Sequence, residues 1–128
     1  MSPSNPVLRG SSEYVLVFSK DKFDLENDSG GNPTADASMF CLLTRDEWDF
    51  PTAKASAVGH PAPFPEELPE RCIHLYTFSG QNVLDPFCGS GTTLVAARKL
   101  GRNFVGYDID PEYIKLTKKN LSQTRFAR

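Results

Sequence analysis

No apolar run in the 128 residues approaches the length of a membrane span. The opening "MSPSNPVLRG" lacks the apolar core of a signal peptide, so a cytoplasmic protein with no membrane partner is expected. Cysteine is scarce. Cys41, Cys72 and Cys88 are odd in number and far apart, which gives neither a disulfide framework nor a metal-ligand spacing. Free thiols are the expectation for all three. His60 and His74 have no cysteine or acid at ligand spacing, so a metal site is not expected. Long internal repeats are missing too. The apolar share of 39% is modest for a single domain, and much of the chain should be loop.

The formal charge of −2 hides an asymmetry. Residues 1–64 hold five Lys/Arg against nine Asp/Glu, a balance of −4. Residues 65–128 hold nine against seven, a balance of +2. Lys115, Lys118, Lys119, Arg125 and Arg128 follow Tyr113 with no acid among them. Such a tail could track phosphates. The cations also suit the C-terminal end of a solvated helix, which is the reading preferred here.

Regular structure is concentrated late in the chain. Residues 13–19, "EYVLVFS", read as a buried strand, being rich in β-branched and aromatic types. The stretch "ENDSGGNPTADAS" is a polar loop. "MFCLLT" could form a short strand, and Trp48 and Phe50 should anchor the irregular segment around them to something apolar. From about Glu66 a helix is expected, with Leu68, Cys72, Ile73 and Tyr76 at helical spacing, Pro69 confined to its first turn and Gly80 beyond its end. Strands are expected at 82–86 and 103–108. Between them "TTLVAARKL" should be a helix with Leu94, Val95, Ala97 and Leu100 on its apolar face. After them Asp110 caps a helix with Pro111 at its first position and Ile114, Thr117 and Leu121 facing inward. Strand, helix, strand, helix is a parallel α/β unit.

The chemistry concentrates in "LDPFCGSGTT". A strand ending in a glycine turn that feeds a helix presents unpaired backbone N–H groups to an anion. Gly89 and Gly91 permit the tight turn. The turn contains no lysine, so it is not a polyphosphate loop. Leu94 occupies the place where a dinucleotide fingerprint needs a third small residue. That argues against a nicotinamide oxidoreductase, the alternative Rossmann-like enzyme. A single carboxylate fits better. Asp85, at the tip of the first strand, could meet an ammonium. Asp108, seventeen residues after Gly91, stands near the spacing at which an acid reaches ribose hydroxyls. Carboxylate, ammonium and ribose together describe S-adenosylmethionine. Either acid alone would more simply cap local N–H groups.

These motifs resemble the DNA amino-methyltransferases that modify adenine N6 or cytosine N4, in the permuted motif order called the beta class. "DPFCGSGTT" looks like that family's cofactor motif, "GYDIDPEY" like the next, and "HPAPFPEELPERCI" like the one that precedes both. "EYVLVFSK" resembles an upstream strand. The resemblance implies a partial Rossmann-like, S-adenosylmethionine-dependent α/β fold. It divides the chain into a strand-bearing segment 1–20, a variable segment 21–59 in the target-recognition slot, and an α/β cofactor-binding unit 60–128. It implies that Gly89, Gly91 and Thr92 hold the methionine carboxylate, with Cys88, Ser90 and Thr93 in the same turn. Asp85 and Phe87 would line the pocket, Asp108 would bind ribose and Ile109 would pack on adenine. Pro61, Ala62 and Phe64 would close over the methionine, with His60 shaping the entry. Phe64 and Phe87 could equally be core residues.

One family element is missing. Methylating an exocyclic amine requires acceptors that orient its protons and an aromatic face for the flipped base. The family supplies these with an acid, asparagine or serine followed by two prolines and an aromatic residue. This chain contains no Pro-Pro dipeptide. It is therefore expected to bind the cofactor, to be inactive alone, and to meet DNA only through a complete enzyme. A second chain or a preceding portion would cover the exposed strand of its sheet. Two alternatives stand beside this: a non-catalytic subunit that completes a partner methyltransferase, and a methyltransferase with a non-DNA acceptor.

Overall fold

A computed structural model describes residues 12–51 and 64–124. The sequence of elements is α1 (Ala37–Leu43), α2 (Glu67–Tyr76), β1 (Asn82–Asp85), α3 (Thr92–Lys99), β2 (Asn103–Gly106) and α4 (Pro111–Gln123). β1 and β2 are parallel, with Asn82 opposite Asn103, Val83 opposite Phe104, Leu84 opposite Val105 and Asp85 opposite Gly106. The strands are shorter than the sequence suggests because Pro86 cannot continue a ladder and the chain turns away after Gly106.

α3 is the centre of the packing. It lies against both strands and against α2 and α4. Ala96 and Ala97 are completely buried, and with Ile73 they form the core beneath Val83, Leu100 and Phe104. Two small residues at this point let the helix approach the sheet closely. A two-stranded sheet is marginal without a helix on its face, so this contact secures the unit. Pro69 sits in the first turn of α2, where its missing N–H has no cost, and is buried.

The far ends of the elements are tied by Arg102, which is 4% exposed. Its guanidinium donates to the Thr77 hydroxyl at 2.9 Å, the Thr77 carbonyl at 2.7 Å and the Leu100 carbonyl at 2.6 Å. One side chain thus joins the end of α2 to the turn before β2.

Two local expectations are corrected. Residues 13–19 form no strand, and Tyr14, Leu16 and Phe18 are exposed. High β-propensity cannot make a strand where no neighbour supplies the ladder. "MFCLLT" lies in helix α1, not in a strand. Asp36 caps it, its carboxylate accepting from the Met39 N–H at 2.8 Å. Trp48 and Phe50 do anchor their segment, but on a cation. The Arg71 guanidinium lies 5.4 Å from the Trp48 ring centre and 4.7 Å from that of Phe50.

The two faces of the sheet differ. α3 covers Val83 and Phe104. On the opposite face Leu84 is 62% exposed and Val105 47%. Each strand also has one edge with no strand beside it among the described residues. No helix of the described residues is long and apolar enough to cross a membrane.

Candidate functional site

Two further backbone bonds join the chain just beyond the ends of β1 and β2. The Tyr107 N–H donates to the Asp85 carbonyl at 2.9 Å, and the Cys88 N–H donates to the Tyr107 carbonyl at 2.8 Å. The two strand tips are thereby stitched together where the chain enters the glycine turn. Gly89 (φ 50°) and Gly91 (φ 86°) both take the left-handed conformation that other residues avoid. The Gly91 N–H closes the turn on the Cys88 carbonyl at 2.7 Å.

α3 begins immediately after. Its first helical bond is from the Val95 N–H to the Gly91 carbonyl. The N–H groups of Thr92, Thr93 and Leu94 therefore have no acceptor within the helix. Gly91 is the N-cap residue and has no side chain to offer them. α4 is arranged differently: the Asp110 carboxylate accepts from the Glu112 N–H at 2.8 Å and Pro111 fills the first position. The start of α3 is left to receive an acceptor from outside, and a carboxylate is the natural complement to its partial positive charge.

The two acids stand at this turn. Asp108 Oδ2 accepts from the Gly89 N–H at 2.9 Å and Oδ1 from the Asp110 N–H at 2.9 Å. Asp85 Oδ1 accepts from the Phe87 N–H at 3.1 Å. Both acids therefore hold local backbone, as the simpler alternative has it. A carboxylate has about four lone-pair sites, so Asp108 keeps acceptor capacity beyond these two bonds. Asp108 is on the same side of the sheet as the turn, in direct contact with Gly89.

Phe87 is 88% exposed and Ile109 101% exposed. Neither packs in the core, which removes the ordinary explanation for Phe87. Phe64 is also exposed. His60, Pro61 and Ala62 lie outside the described residues. The turn is thus a shelf with apolar side chains standing at its rim. Two hollows of about 570 and 440 Å³ lie elsewhere, around residues 17–26 and near Gly80, and neither includes a residue of the turn.

Cys88 and Ser90 are buried, with Thr92 and Thr93 half-buried behind them. Burial holds the Cys88 thiol above its usual range, and Asp85 and Asp108 push it the same way against a lowering contact from Thr117. Each of the raising influences disfavours the thiolate form of Cys88.

Two contacts from α4 went unread in the sequence. The Thr117 hydroxyl donates to the Gly89 carbonyl at 2.7 Å, and the Asn120 amide donates to the Ser90 carbonyl at 2.9 Å. A hydroxyl in the middle of the apolar face set by Ile114 and Leu121 was the available signal. Gly91 is also explained by this helix. A Cβ there would meet Thr117 Cγ2 at 2.7 Å, so the glycine makes room for α4 as well as for the turn.

Residues 1–119 match the family model described as DNA methylase, of the N6 and N4 methyltransferase type. Among curated proteins, the chain is 37% identical over 116 residues to the Type II methyltransferase M.MjaI of Methanocaldococcus jannaschii, covering 84% of this chain and 38% of that protein. It is 31% identical over 139 aligned positions to the Type II methyltransferase M.MthZI of Methanothermobacter thermautotrophicus, covering 97% and 38%. The chain therefore spans well under half the length of these relatives. Among solved structures, a candidate DNA modification methylase of Thermus thermophilus, complexed with S-adenosyl-L-methionine, superposes with a TM-score of 0.62 at 36% identity. The match covers 72% of this chain and 35% of that one.

Proposed function

The chain belongs to the DNA methylase family, and from that premise we propose that it is the S-adenosylmethionine-holding portion of an adenine-N6 or cytosine-N4 DNA methyltransferase. The observation that carries the reading is the uncapped start of α3 behind two left-handed glycines, with Asp108 bonded to the first of them. The Thermus relative, bound to S-adenosyl-L-methionine, supports the choice of ligand.

In this reading the turn Gly89–Ser90–Gly91 and the N–H groups of Thr92 and Thr93 grip the methionine carboxylate. Asp85 faces the ammonium, Asp108 takes the ribose hydroxyls, and Ile109 and Phe87 flank the adenine and the pocket. His60, Pro61, Ala62 and Phe64 close the methionine end, and Cys88 fills space behind the turn. The bound cofactor supplies a methyl group activated on a sulfonium. What this chain does is bind and orient it. Activating the base amine requires the Pro-Pro motif that the sequence lacks, so the chain alone does not methylate DNA. A second reading is favoured by the bare face of the sheet: the chain completes a partner that carries the motif and meets the DNA. A cytoplasmic location fits a DNA substrate.

The test is titration calorimetry of the folded chain with S-adenosylhomocysteine, beside a DNA methylation assay. Binding that NAD does not displace, without transfer to DNA, is expected. The absence of heat and of any thermal shift would overturn the binding assignment. Methyl transfer by the pure chain would overturn its inactivity.

A further inference from the structure

We infer that Thr117 and Asn120 are positioning residues that set the direction of the peptide groups in the glycine turn, an inference that rests on the carboxylate-binding reading above. The turn contains two peptide planes that matter, Gly89–Ser90 and Ser90–Gly91, and no peptide bond among the described residues is cis. In a trans peptide the carbonyl and the N–H point in opposite directions. Thr117 takes the Gly89 carbonyl at 2.7 Å and Asn120 takes the Ser90 carbonyl at 2.9 Å, both from α4. The N–H groups of Ser90 and Gly91 must then point away from α4. That of Gly91 closes the turn on Cys88. That of Ser90 is left aimed outward beside the uncapped start of α3.

A turn flanked by glycines needs such a brace. Glycine passes between positive and negative φ at little cost, so these planes could rotate and aim carbonyl oxygens at an anion. Thr117 resists this, its hydroxyl holding the Gly89 carbonyl. It is 4% exposed, so its hydroxyl has no competing water. Asn120, half-buried and one turn further along α4, repeats the device on the next carbonyl.

The experiment compares two ligands on the full chain. S-adenosylhomocysteine carries the carboxylate, and 5′-methylthioadenosine lacks the amino-acid end. Thr117→Val keeps the shape and removes the donor, Thr117→Ser keeps the donor, and Asn120→Ala removes the second donor without disturbing a core position. Removing either donor should weaken S-adenosylhomocysteine about tenfold, the scale of one hydrogen bond. The affinity for 5′-methylthioadenosine should change less than about twofold, and Thr117→Ser should bind both ligands nearly as the unaltered chain does. If Thr117→Val does not fold, Asn120→Ala and Thr117→Ser carry the comparison. Equal losses for both ligands, or no loss for either, would overturn the brace. Failure of the unaltered chain to bind S-adenosylhomocysteine would overturn the binding reading itself, a separate outcome.

Discussion

The two faces of the β1–β2 sheet carry similar residues and meet opposite surroundings. Val83 and Phe104 lie under α3, against Ala96, Ala97 and Ile73. Leu84 and Val105, one residue along each strand, face water, as do Tyr107 and Ile109 beyond them. In parallel α/β folds both faces are normally covered, and the strands read as continuous apolar runs for that reason. The sequence of this sheet is written for two covered faces, and the described residues supply one cover, α3. Residues 13–19 show the same mismatch, with a strand-like composition and no strand beside them among the described residues. One face of this sheet is thus covered by α3, while Leu84 and Val105 stand exposed on the other.

Substitution can separate the faces. Ile73→Ala, on the covered side, should destabilise the chain by about 2–5 kcal/mol, through lost transfer energy and the cavity left behind. Thermal or urea unfolding reads this directly. The pair Leu84→Ser and Val105→Thr, on the open side, should stay within about 0.5 kcal/mol of the original, as exposed positions do. A loss as large as that at Ile73 would show that the open face is covered in solution, by another copy or another chain.

The smallest effect is on pH. Burial, with Arg102 nearby, holds the His74 ring below its ordinary value of 6.5, while its Nδ1 lies 2.7 Å from the Thr34 hydroxyl. The unfolded chain then takes up the proton first. This contribution to stability is present in full above pH 6.5 and is lost as the pH falls through the folded value. His74→Gln should flatten that part of an acid melting series, and an unchanged series would show that the ring contributes nothing.

The order of elements from residue 67 onward was legible in the sequence because punctuation and periodicity agreed there. Gly101 marks a stop and Asp110-Pro111 a start, while α2 already ends at Tyr76, capped by Thr77 ahead of Gly80; of the expected face Leu94, Val95, Ala97 and Leu100, Leu94 and Ala97 are buried. Two apolar runs were misread for different reasons. "MFCLLT" is too short for its period to distinguish helix from strand, and Asp36 three residues ahead of Met39 was the overlooked arbiter. "EYVLVFS" has the right residues for a strand, but a strand exists only in partnership. That Asp108 stands beside the glycine turn was legible from spacing. Thr117 and Asn120 were not, because their contacts with Gly89 and Ser90 span about thirty residues and exist only once α4 has docked.

Arg102 has a consequence for the conditions the fold tolerates. Its three acceptors are two carbonyls and a hydroxyl, and none of them titrates in ordinary buffers. A clamp made with a carboxylate would loosen as the medium turned acidic and weaken as ionic strength rose. This fastening depends on neither, so the end of the sheet remote from the glycine turn stays joined to α2 across changes of acidity and salt that would slacken a surface ion pair.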